Sequence, residues 1–292
     1  MSRAAVPLVA RLVRNPRVVV GGIVMALLVF SALFAPWIAP HDPMEQDFLS
    51  QLQPPAWSAA APPAEEGKTP YWLGTDNLGR DVLSRLIWGA RTALIVAVAA
   101  TLLAALAGTA LGAAAGYFGG RIDAVVSRLV DVWMAFPPVL LAVVLVALLG
   151  TGLTSVVIAI AVVDWTRFAR VVRAETQGQR ALDYVTSARM LGMSPLRILI
   201  SEVLPNVMPL LITLITLEMG IAVVVEAILS FVGLSVASGA STWGGMLGEG
   251  RLYVNQAPSL MVLPILATMV VVLGLNALGD GLRQELDPVV RG

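Results

Sequence analysis

Two carboxylates inside an apolar segment are the side chains of this sequence with the clearest chemical potential. Glu218 and Glu226 are eight residues apart, which is about two helical turns and places them on nearly one face of a helix. Ionisable groups within a membrane are costly, and they are functional candidates by default. We therefore predict a place on a polar solute path for both, and first for Glu218, which lies nearer mid-segment. The alternative is an acid hydrogen-bonded to a neighbouring subunit.

The remaining residues offer little catalytic chemistry. There is no cysteine, and the single histidine, His41, lies in an acidic, proline-rich stretch. This composition argues against disulfides, thiol catalysis and most zinc or haem sites. A phosphate loop has the pattern G-x-x-x-x-G-K-[ST]. The glycine pair that resembles it most, at 150–152, is not followed by the lysine. We expect no catalytic residue, cofactor or metal in this chain.

The composition is that of a membrane protein. Of the 292 residues, 58% are hydrophobic and 13% are charged, whereas a soluble domain is about 45–50% apolar and about 25% charged. Since a spanning helix needs about 20 mostly apolar residues, the sequence predicts an all-α membrane protein with about six spans. We place them near 18–39, 92–116, 132–149, 152–170, 207–233 and 258–278. Asp164 and Arg167 shorten the apolar part of the fourth. Asp131 and Asp164 lie near span ends, where we expect either solvation or pairing with Arg128 and Arg167.

The distribution of basic residues predicts the orientation, because Arg and Lys are enriched on the cytoplasmic side. With the N-terminus inside, fourteen of the nineteen lie in inner segments. We therefore expect a cytoplasmic N-terminal segment 1–17, a transmembrane core 92–278 and a cytoplasmic tail 279–292. The first span is not a cleaved signal peptide, since its apolar run is too long.

The outer segment 40–91 divides into two halves. The first is rich in proline and acids, for example Pro54 and Glu65, and is expected to be an extended arm. The second half reads WLGTDNLGRDVLSRLIWGAR. From Asp81 onward its apolar residues have helical spacing, which predicts a short amphipathic helix on the membrane surface or at a pore entrance. The alternative is a helix that only leads into the second span.

Two features of the spans concern packing and shape. Small residues recur every four positions in the second span: Ala104, Gly108, Gly112 and Gly116. This spacing favours close approach of another helix, with pore lining as the second interpretation. In the third span Phe136 is followed by Pro137 and Pro138, and the prolines should kink or break the helix.

The loop at residues 171–206 carries the most ordered pattern outside the spans. The apolar face of its first helix comprises Ala181, Tyr184, Val185, Ala188 and Leu191. We expect this helix to end at Gly192, in the left-handed conformation. A second helix should start with Ser194 as N-cap and Pro195 as first residue, and end at Pro205. Its apolar face comprises Leu196, Leu199, Ile200 and Val203.

The two helices, with a bend at the glycine between them, form an apolar ridge with basic flanks at Arg180, Arg189 and Arg197. Within the chain we see no groove that this ridge fills. We therefore predict that it docks into a groove of a soluble partner.

The run DYVTSARMLGMSPLRILISEVLPN, residues 183–206, resembles the coupling loop of permeases of ATP-binding-cassette (ABC) importers. Other runs are similar to the C-type permease subunit of dipeptide and oligopeptide importers: WLGTDNLGRDVLSRLIWGAR, AGYFGGRID, EAILSFVGL, STWGGML and LNALGDGLRQELDP. The resemblance covers about residues 15–288. The sequence departs from the family pattern in two places. The family's leading Glu-Ala-Ala is Thr186, Ser187 and Ala188 here, and Glu202 stands where the family has an aliphatic residue or histidine.

The resemblance implies a non-catalytic subunit of a bacterial inner membrane importer, with a type I importer permease fold. Its partners would be a second homologous permease, two ATPase subunits that bind ATP and Mg²⁺, an external binding protein and a peptide cargo. The coupling residues would be Asp183, Tyr184, Ala188, Leu191, Gly192, Ser194, Pro195, Arg197, Leu204 and Pro205. The outer motif would comprise Gly74, Asp76, Gly79, Arg80 and Asp81.

Three alternatives remain at the level of the sequence. Glutathione or a nickel chelate would use the same architecture, because related permeases share these motifs. A self-sufficient channel or secondary transporter would need internal repeats or several polar spans. A membrane-embedded enzyme would need a nucleophile, base or metal site near a span end.

Overall fold

Helices form the fold of the chain, seen in a computed structural model that describes residues 8–62, 69–235 and 240–286. The helices in these ranges are α1 Leu8–Arg14, α2 Pro16–Ile38, α3 Val82–Phe118, α4 Gly120–Met134, α5 Pro138–Leu149, α6 Leu153–Arg180, α7 Asp183–Met190, α8 Pro195–Ile198, α9 Leu204–Phe231, α10 Trp243–Gly250 and α11 Ser259–Leu286. A π-helical turn, Leu199–Val203, joins α8 to α9. Three parts of the sequence analysis reach outside these ranges: the first residues of segment 1–17, Glu65 and its neighbours, and the end of tail 279–292.

Four helical stretches within the described ranges are long and apolar enough to cross a membrane. They are Pro16–Ile38, Val82–Phe118, Pro195–Phe231 and Ser259–Leu286. Helices α4 and α5 meet the same requirement only as a pair bent by 88°. Helix α6, the expected fourth span, is not in this set because Asp164, Arg167 and Arg170 interrupt its apolar part. An all-α membrane protein is confirmed, and whether α6 crosses the bilayer stays a prediction.

Helix α3 is one continuous rod of 37 residues, about 55 Å long at about 1.5 Å per residue. It starts at Val82 with Asp81 as N-cap, and the Asp81 side chain accepts a hydrogen bond from the Ser84 backbone N–H. The expected separate amphipathic helix is therefore wrong, and the alternative, a helix that leads into the span, is correct. Gly89 lies between the two parts, but it is buried against Trp243 within the helix and does not interrupt it.

Close packing of α3 on α6 is the largest helix contact of the core. A Cβ atom on Gly112 would lie 2.5 Å from the carbonyl oxygen of Ala169, and one on Gly116 would lie 2.6 Å from that of Arg173. A Cβ on Gly108 would overlap the Trp165 carbonyl. The predicted small-residue contact is thus confirmed, and its partner is α6 of the same chain.

The break at the two prolines is also confirmed. Helix α4 ends at Met134 and α5 begins at Pro138. Helix α4 is tied to α6 at several points: Trp133 Nε1 donates to the Val162 carbonyl at 2.7 Å, Arg173 pairs with Asp123, and Arg170 lies 3.6 Å from Asp131. Of the two expectations for Asp131, solvation is the correct one, because its side chain is 62% exposed and its neighbouring cation is Arg170 of α6 instead of Arg128.

The described part of the outer arm, up to residue 62, contains no α-helix and is hydrogen-bonded to the rest of the chain. The Leu52 amide donates to the Asp76 carbonyl and the Thr75 amide to that of Gln53, at 2.9 and 3.1 Å. The backbone before residue 56 therefore pairs with the approach to α3. These hydrogen bonds satisfy the strand-like backbone that proline and alanine alone would leave to solvent.

The packing of α3 on α6 yields a first prediction. Gly112→Ala should lower the stability of the purified protein by about 1–3 kcal/mol, since the added methyl overpacks a backbone contact. The measurement is the thermal unfolding midpoint in detergent. Gly178→Ala in α6 is the matched control, because its Cβ meets nothing within 4 Å and alanine favours a helix over glycine. Equal midpoints for both variants would contradict the contact.

Candidate functional site

The patterned loop after α6 folds as two short helical pieces joined by a glycine turn. Helix α7 starts at Asp183, and Gly192 follows it with a φ of +77°. The Met193 amide donates to the Ala188 carbonyl at 3.2 Å, and the Gly192 amide to the Arg189 carbonyl at 3.0 Å, as in a glycine-terminated helix. Pro195 then begins α8 with Ser194 at the N-cap position, although the Ser194 side chain makes no capping hydrogen bond. The predicted glycine stop is confirmed.

One face of this loop packs inside the chain itself. Val185, Ala188, Leu199 and Val203 are buried in a cluster that also contains Phe168 of α6. The interpretation that this chain offers no groove for the ridge is therefore wrong for that face. The groove is formed by α3, α6 and the start of α9, which lie far from the loop in sequence and gave no local signal.

The opposite face of the loop is exposed and apolar. We call it the docking face, and it comprises Met190, Leu191, Leu196 and Ile200. Leu191 is 83% exposed and Met190 is 78% exposed. Arg197 is exposed beside them. Four exposed large apolar side chains in one short loop are typical of a protein interaction site.

Polar contacts hold α7 against the chain behind it. The Tyr184 hydroxyl donates to Gln179 Oε1 at 2.8 Å and accepts from Asn206 Nδ2 at 3.4 Å. Burial raises the pKa of the Tyr184 phenol above its ordinary value, so it stays a neutral donor. Arg189 lies over the Tyr117 ring, 5.7 Å from its centroid. These contacts fix the docking face relative to α6 and α9.

The second loop helix does not end at Pro205, and that expectation is wrong. Helix continues through Leu204 and Pro205 into α9, so that Pro195–Phe231 forms one stretch. The Leu204 amide donates to the Leu199 carbonyl, five residues back, in the π-helical turn. This wider turn shifts the preceding carbonyls away from the register in which they would clash with a proline ring.

The two departures from the coupling-loop pattern are not part of the buried face of the loop. Thr186 and Ser187 are exposed on α7. The Glu202 carboxylate accepts a hydrogen bond from the Ser201 hydroxyl at 3.2 Å. None of the three is buried, so the bent-helix geometry does not depend on them.

Glu218 forms an ion pair between α9 and α6. Its carboxylate accepts from Arg167 Nη1 at 3.1 Å, and Asp164 Oδ1 lies 3.9 Å from Arg167 Nε. Glu218 and Asp164 are both buried, whereas the Arg167 side chain is about one-third exposed. Two carboxylates thus share one guanidinium, at the edge of a cavity lined by Trp133, Phe136 and Asp164. The partner of Glu218 in this chain is Arg167, and its role on a solute path stays a prediction.

Glu226 is enclosed by hydroxyl groups of its own chain. Its Oε1 accepts from Ser230 Oγ at 2.6 Å and from Ser235 Oγ at 3.2 Å. Thr242, which caps α10, donates to Ser230 at 3.0 Å. Because Glu226 is only 2% exposed, it serves as a buried link between α9 and the start of α10, which weakens its candidacy for the solute path.

The outer motif is brought together around Asp76. Arg80 Nε donates to Asp76 Oδ2 at 2.6 Å, and Arg80 Nη2 donates to Glu249 at 2.7 Å. Gly74 and Gly79 have φ values of +82° and +75°. A Cβ on either would overlap a carbonyl of the segment at 47–53, so both the conformation and the close approach require glycine.

Two residues that join the outer motif, Arg85 and Glu249, were missed in the sequence analysis. The assembled group is called the outer cluster, and it comprises His41, Asp76, Arg80, Asp81, Arg85 and Glu249. Arg85 bridges Asp76 and Glu249, and its side chain is 5% exposed. The sequence separation of 164 between Arg85 and Glu249 left no local pattern that links them. Arg85 follows Asp81, the N-cap of α3, by one helical turn. This spacing was the one indication in the sequence that Arg85 belongs with the outer motif. His41 completes the outer cluster, with Nδ1 3.5 Å from Asp81.

Among the residues that the structure describes, no three or more His, Asp or Glu side chains are arranged to hold a metal ion. The clusters instead join helices through ion pairs and hydrogen bonds. The arrangement is that of a helical frame with one exposed apolar docking face.

Comparison with known proteins identifies similar membrane components. The family of binding-protein-dependent transport system inner membrane components matches residues 108–292, and the N-terminal transmembrane domain of oligopeptide transport permease C matches residues 8–55. The di/tripeptide transport system permease protein of Pseudomonas aeruginosa is 43% identical over 93% of this chain and 88% of its own length. The dipeptide transport system permease protein of Haemophilus influenzae is 37% identical, covering 95% and 92%. The glutathione transport system permease protein of Shigella dysenteriae is 38% identical, covering 91% and 84%.

The Arg167–Glu218 pair yields the second prediction. Glu218→Leu should lower stability by about 1–3 kcal/mol, a discounted cost because Arg167 is partly solvated. Uptake should also fall while assembly persists. The triple variant Asp164→Asn, Arg167→Met, Glu218→Leu should regain much of the stability, because none of the three charges that pair here is left without a partner.

Thermal unfolding and solute uptake are measured on the same preparations, with the exposed Glu45→Leu as control. Restored stability without restored uptake would support a place for the carboxylate on the solute path. Full recovery of both would assign the pair a structural role alone. Uptake that is normal in the single variant would remove Glu218 from the path.

Proposed function

The chain belongs to the family of binding-protein-dependent transport system inner membrane components, and from this we propose that it forms half of the translocation pore of an importer of di- and oligopeptides. It is a non-catalytic subunit of the bacterial inner membrane. The observation that carries the peptide assignment is the 43% identity, over 93% of this chain, to a di/tripeptide permease. The docking face supports the proposal as the place where another subunit attaches.

The family implies an ATPase and a binding protein as partners, and we infer their arrangement. Two ATPase subunits would bind ATP and Mg²⁺, and one would receive the docking face of this chain. A second homologous permease would complete the pore. The external binding protein would deliver peptide on the side of the outer cluster, if both termini of the chain are cytoplasmic as the arginine distribution predicts.

Coupling would use the helical continuity between the docking face and the core. Leu196 and Ile200 lie in the same continuous helical stretch, Pro195–Phe231, as Glu218 and Glu226. Displacement of the docking face therefore moves the helix that carries both carboxylates. ATP can drive such a change only through differential contacts with the inward- and outward-facing states. The docking face is the surface of this chain at which those contacts would be made.

A second candidate cargo is glutathione. Its support is the 38% identity to a glutathione transport system permease over 91% of this chain. Both cargoes are short peptides, so the same pore dimensions suit them. Uptake assays with a dipeptide, a longer peptide and glutathione in competition would rank them.

Isolation of the assembled complex tests the proposal. The chain is tagged at its C-terminus, extracted from native membranes in mild detergent and identified with its companions by mass spectrometry. Recovery of a second permease together with ATPase subunits that contain phosphate loops supports the proposal. Recovery of the intact chain alone, still able to transport solute in liposomes without ATP, would overturn it.

The docking face yields the third prediction. The double variant Leu191→Glu, Leu196→Glu should reduce ATPase recovery and peptide uptake at least tenfold, because each buried leucine contributes about 1.5–3 kcal/mol to an interface. Leu252→Glu is the matched control, since Leu252 is also highly exposed but follows α10 at the other end of the fold. Normal ATPase recovery in the double variant would exclude the docking face as the attachment site.

A further inference from the structure

A basic groove lies where the N-terminal helices meet the end of α11. Its lining comprises Arg11, Arg14, Asn15, Pro16, Arg17, Gln284 and Glu285. Three arginines face one carboxylate, so the lining carries a net charge of +2. The groove is open to solvent and belongs to neither the docking face nor the outer cluster.

The arginines of this groove have no anionic partner in the part of the chain that the structure describes. Among the described residues, no ion pair involves Arg11, Arg14 or Arg17. The Arg11 Nε atom is buried and has no hydrogen-bond acceptor within the same residues. Glu285 instead accepts a hydrogen bond from Asn15 Nδ2 at 3.3 Å. A buried donor without an acceptor is costly, so an acceptor at this position would stabilise the groove.

The fold builds the groove through a break and a close contact. Asn15 interrupts the helix between α1 and α2, and its side chain caps α2 by accepting from the Arg17 amide. Gly281 of α11 lies so close to Val18 that a Cβ would be 2.6 Å from its side chain. The groove is therefore held by backbone contacts, and the N-terminus of the 23-residue helix α2 adds its partial positive charge.

An exposed apolar stripe extends from the groove along α1 and α2. Its members are Val13, Val20, Ile23 and Leu27, each more than half exposed. Within α2, the spacing of Val20, Ile23 and Leu27 by three and four residues places these three on one helical face, and Val13 lies on α1 beside the groove. Because α2 is a span of this membrane protein, the stripe faces the hydrocarbon region while the arginines lie at its edge.

We propose that this groove binds the phosphate diester of an anionic phospholipid, whose acyl chains lie along the stripe. Guanidinium groups hold phosphate through charge-assisted, often bidentate, hydrogen bonds. Basic residues next to a span attract anionic lipid headgroups. A soluble phosphate could contact only the arginines, whereas a lipid at this position contacts both the arginines and the adjacent apolar face of α2, which favours the lipid.

The test uses the assembled complex purified in mild detergent. Phosphatidylglycerol or phosphatidylcholine is titrated, and bound lipid is counted by native mass spectrometry. Preferential retention of phosphatidylglycerol is expected. Arg11→Gln, Arg14→Gln and Arg17→Gln should each weaken it about fivefold, since one basic residue near an anionic surface contributes about 1 kcal/mol.

Arg121→Gln is the matched control, because Arg121 is exposed at the start of α4 and is not part of the groove. An equal loss in this control would overturn the proposal in favour of a general effect of surface charge. Unchanged retention in the three groove variants would also overturn it. Glycerol 3-phosphate that displaces phosphatidylglycerol at equal concentration would show a soluble phosphate ligand instead. Arg11→Lys, which keeps the charge, should retain most of the binding and shows that the groove variants do not act through misfolding.

Discussion

The backbone contact between α3 and α6 is the constraint on which the other arrangements depend. In lipid, helices gain little from hydrophobic burial, and they associate through close van der Waals packing instead. Gly108, Gly112 and Gly116 bring the α6 backbone against α3. This contact orients α6 so that Arg167 reaches Glu218 on α9, and it extends to the end of α6, where α7 begins. The position of the docking face therefore depends on this row of glycines in α3.

Charged residues act in this apolar chain mainly as connectors between helices. The outer cluster joins α3 to α10 through Arg85 and Glu249, while the Arg167–Glu218 pair joins α6 to α9. Arg173 with Asp123 joins α6 to α4. Each pair links elements that are distant in sequence, so a small number of charges determines which helices are neighbours. The groove at α1 differs, because its positive charges have no such partner.

The sequence could predict features that depend on neighbouring residues. The glycine spacing of α3, the break at Pro137 and the turn at Gly192 follow from local sterics, and all three are present. The outcome at Pro205 could not be predicted, because a π-helical turn relieves the clash that normally ends a helix there. Likewise Val185 and Leu196 look equivalent as apolar residues at helical spacing. Only the tertiary position of Phe168 and its neighbours determines that one is buried and the other exposed.

The charges of α6 also bear on how this protein enters the membrane. Each charged residue at the centre of a helix opposes insertion by about 2.5–3.5 kcal/mol, and α6 carries Asp164 and Arg167 within its apolar part. Helix α3 is synthesised before α6 and offers it a complementary glycine surface, whereas Glu218, the partner of Arg167, is synthesised later. If α6 crosses the bilayer as the sequence predicts, its insertion would rely on the glycine surface of α3, and Arg167 would lack Glu218 until α9 is inserted. The small residues of α3 would then serve the assembly of the protein in the membrane as well as the packing of its finished fold.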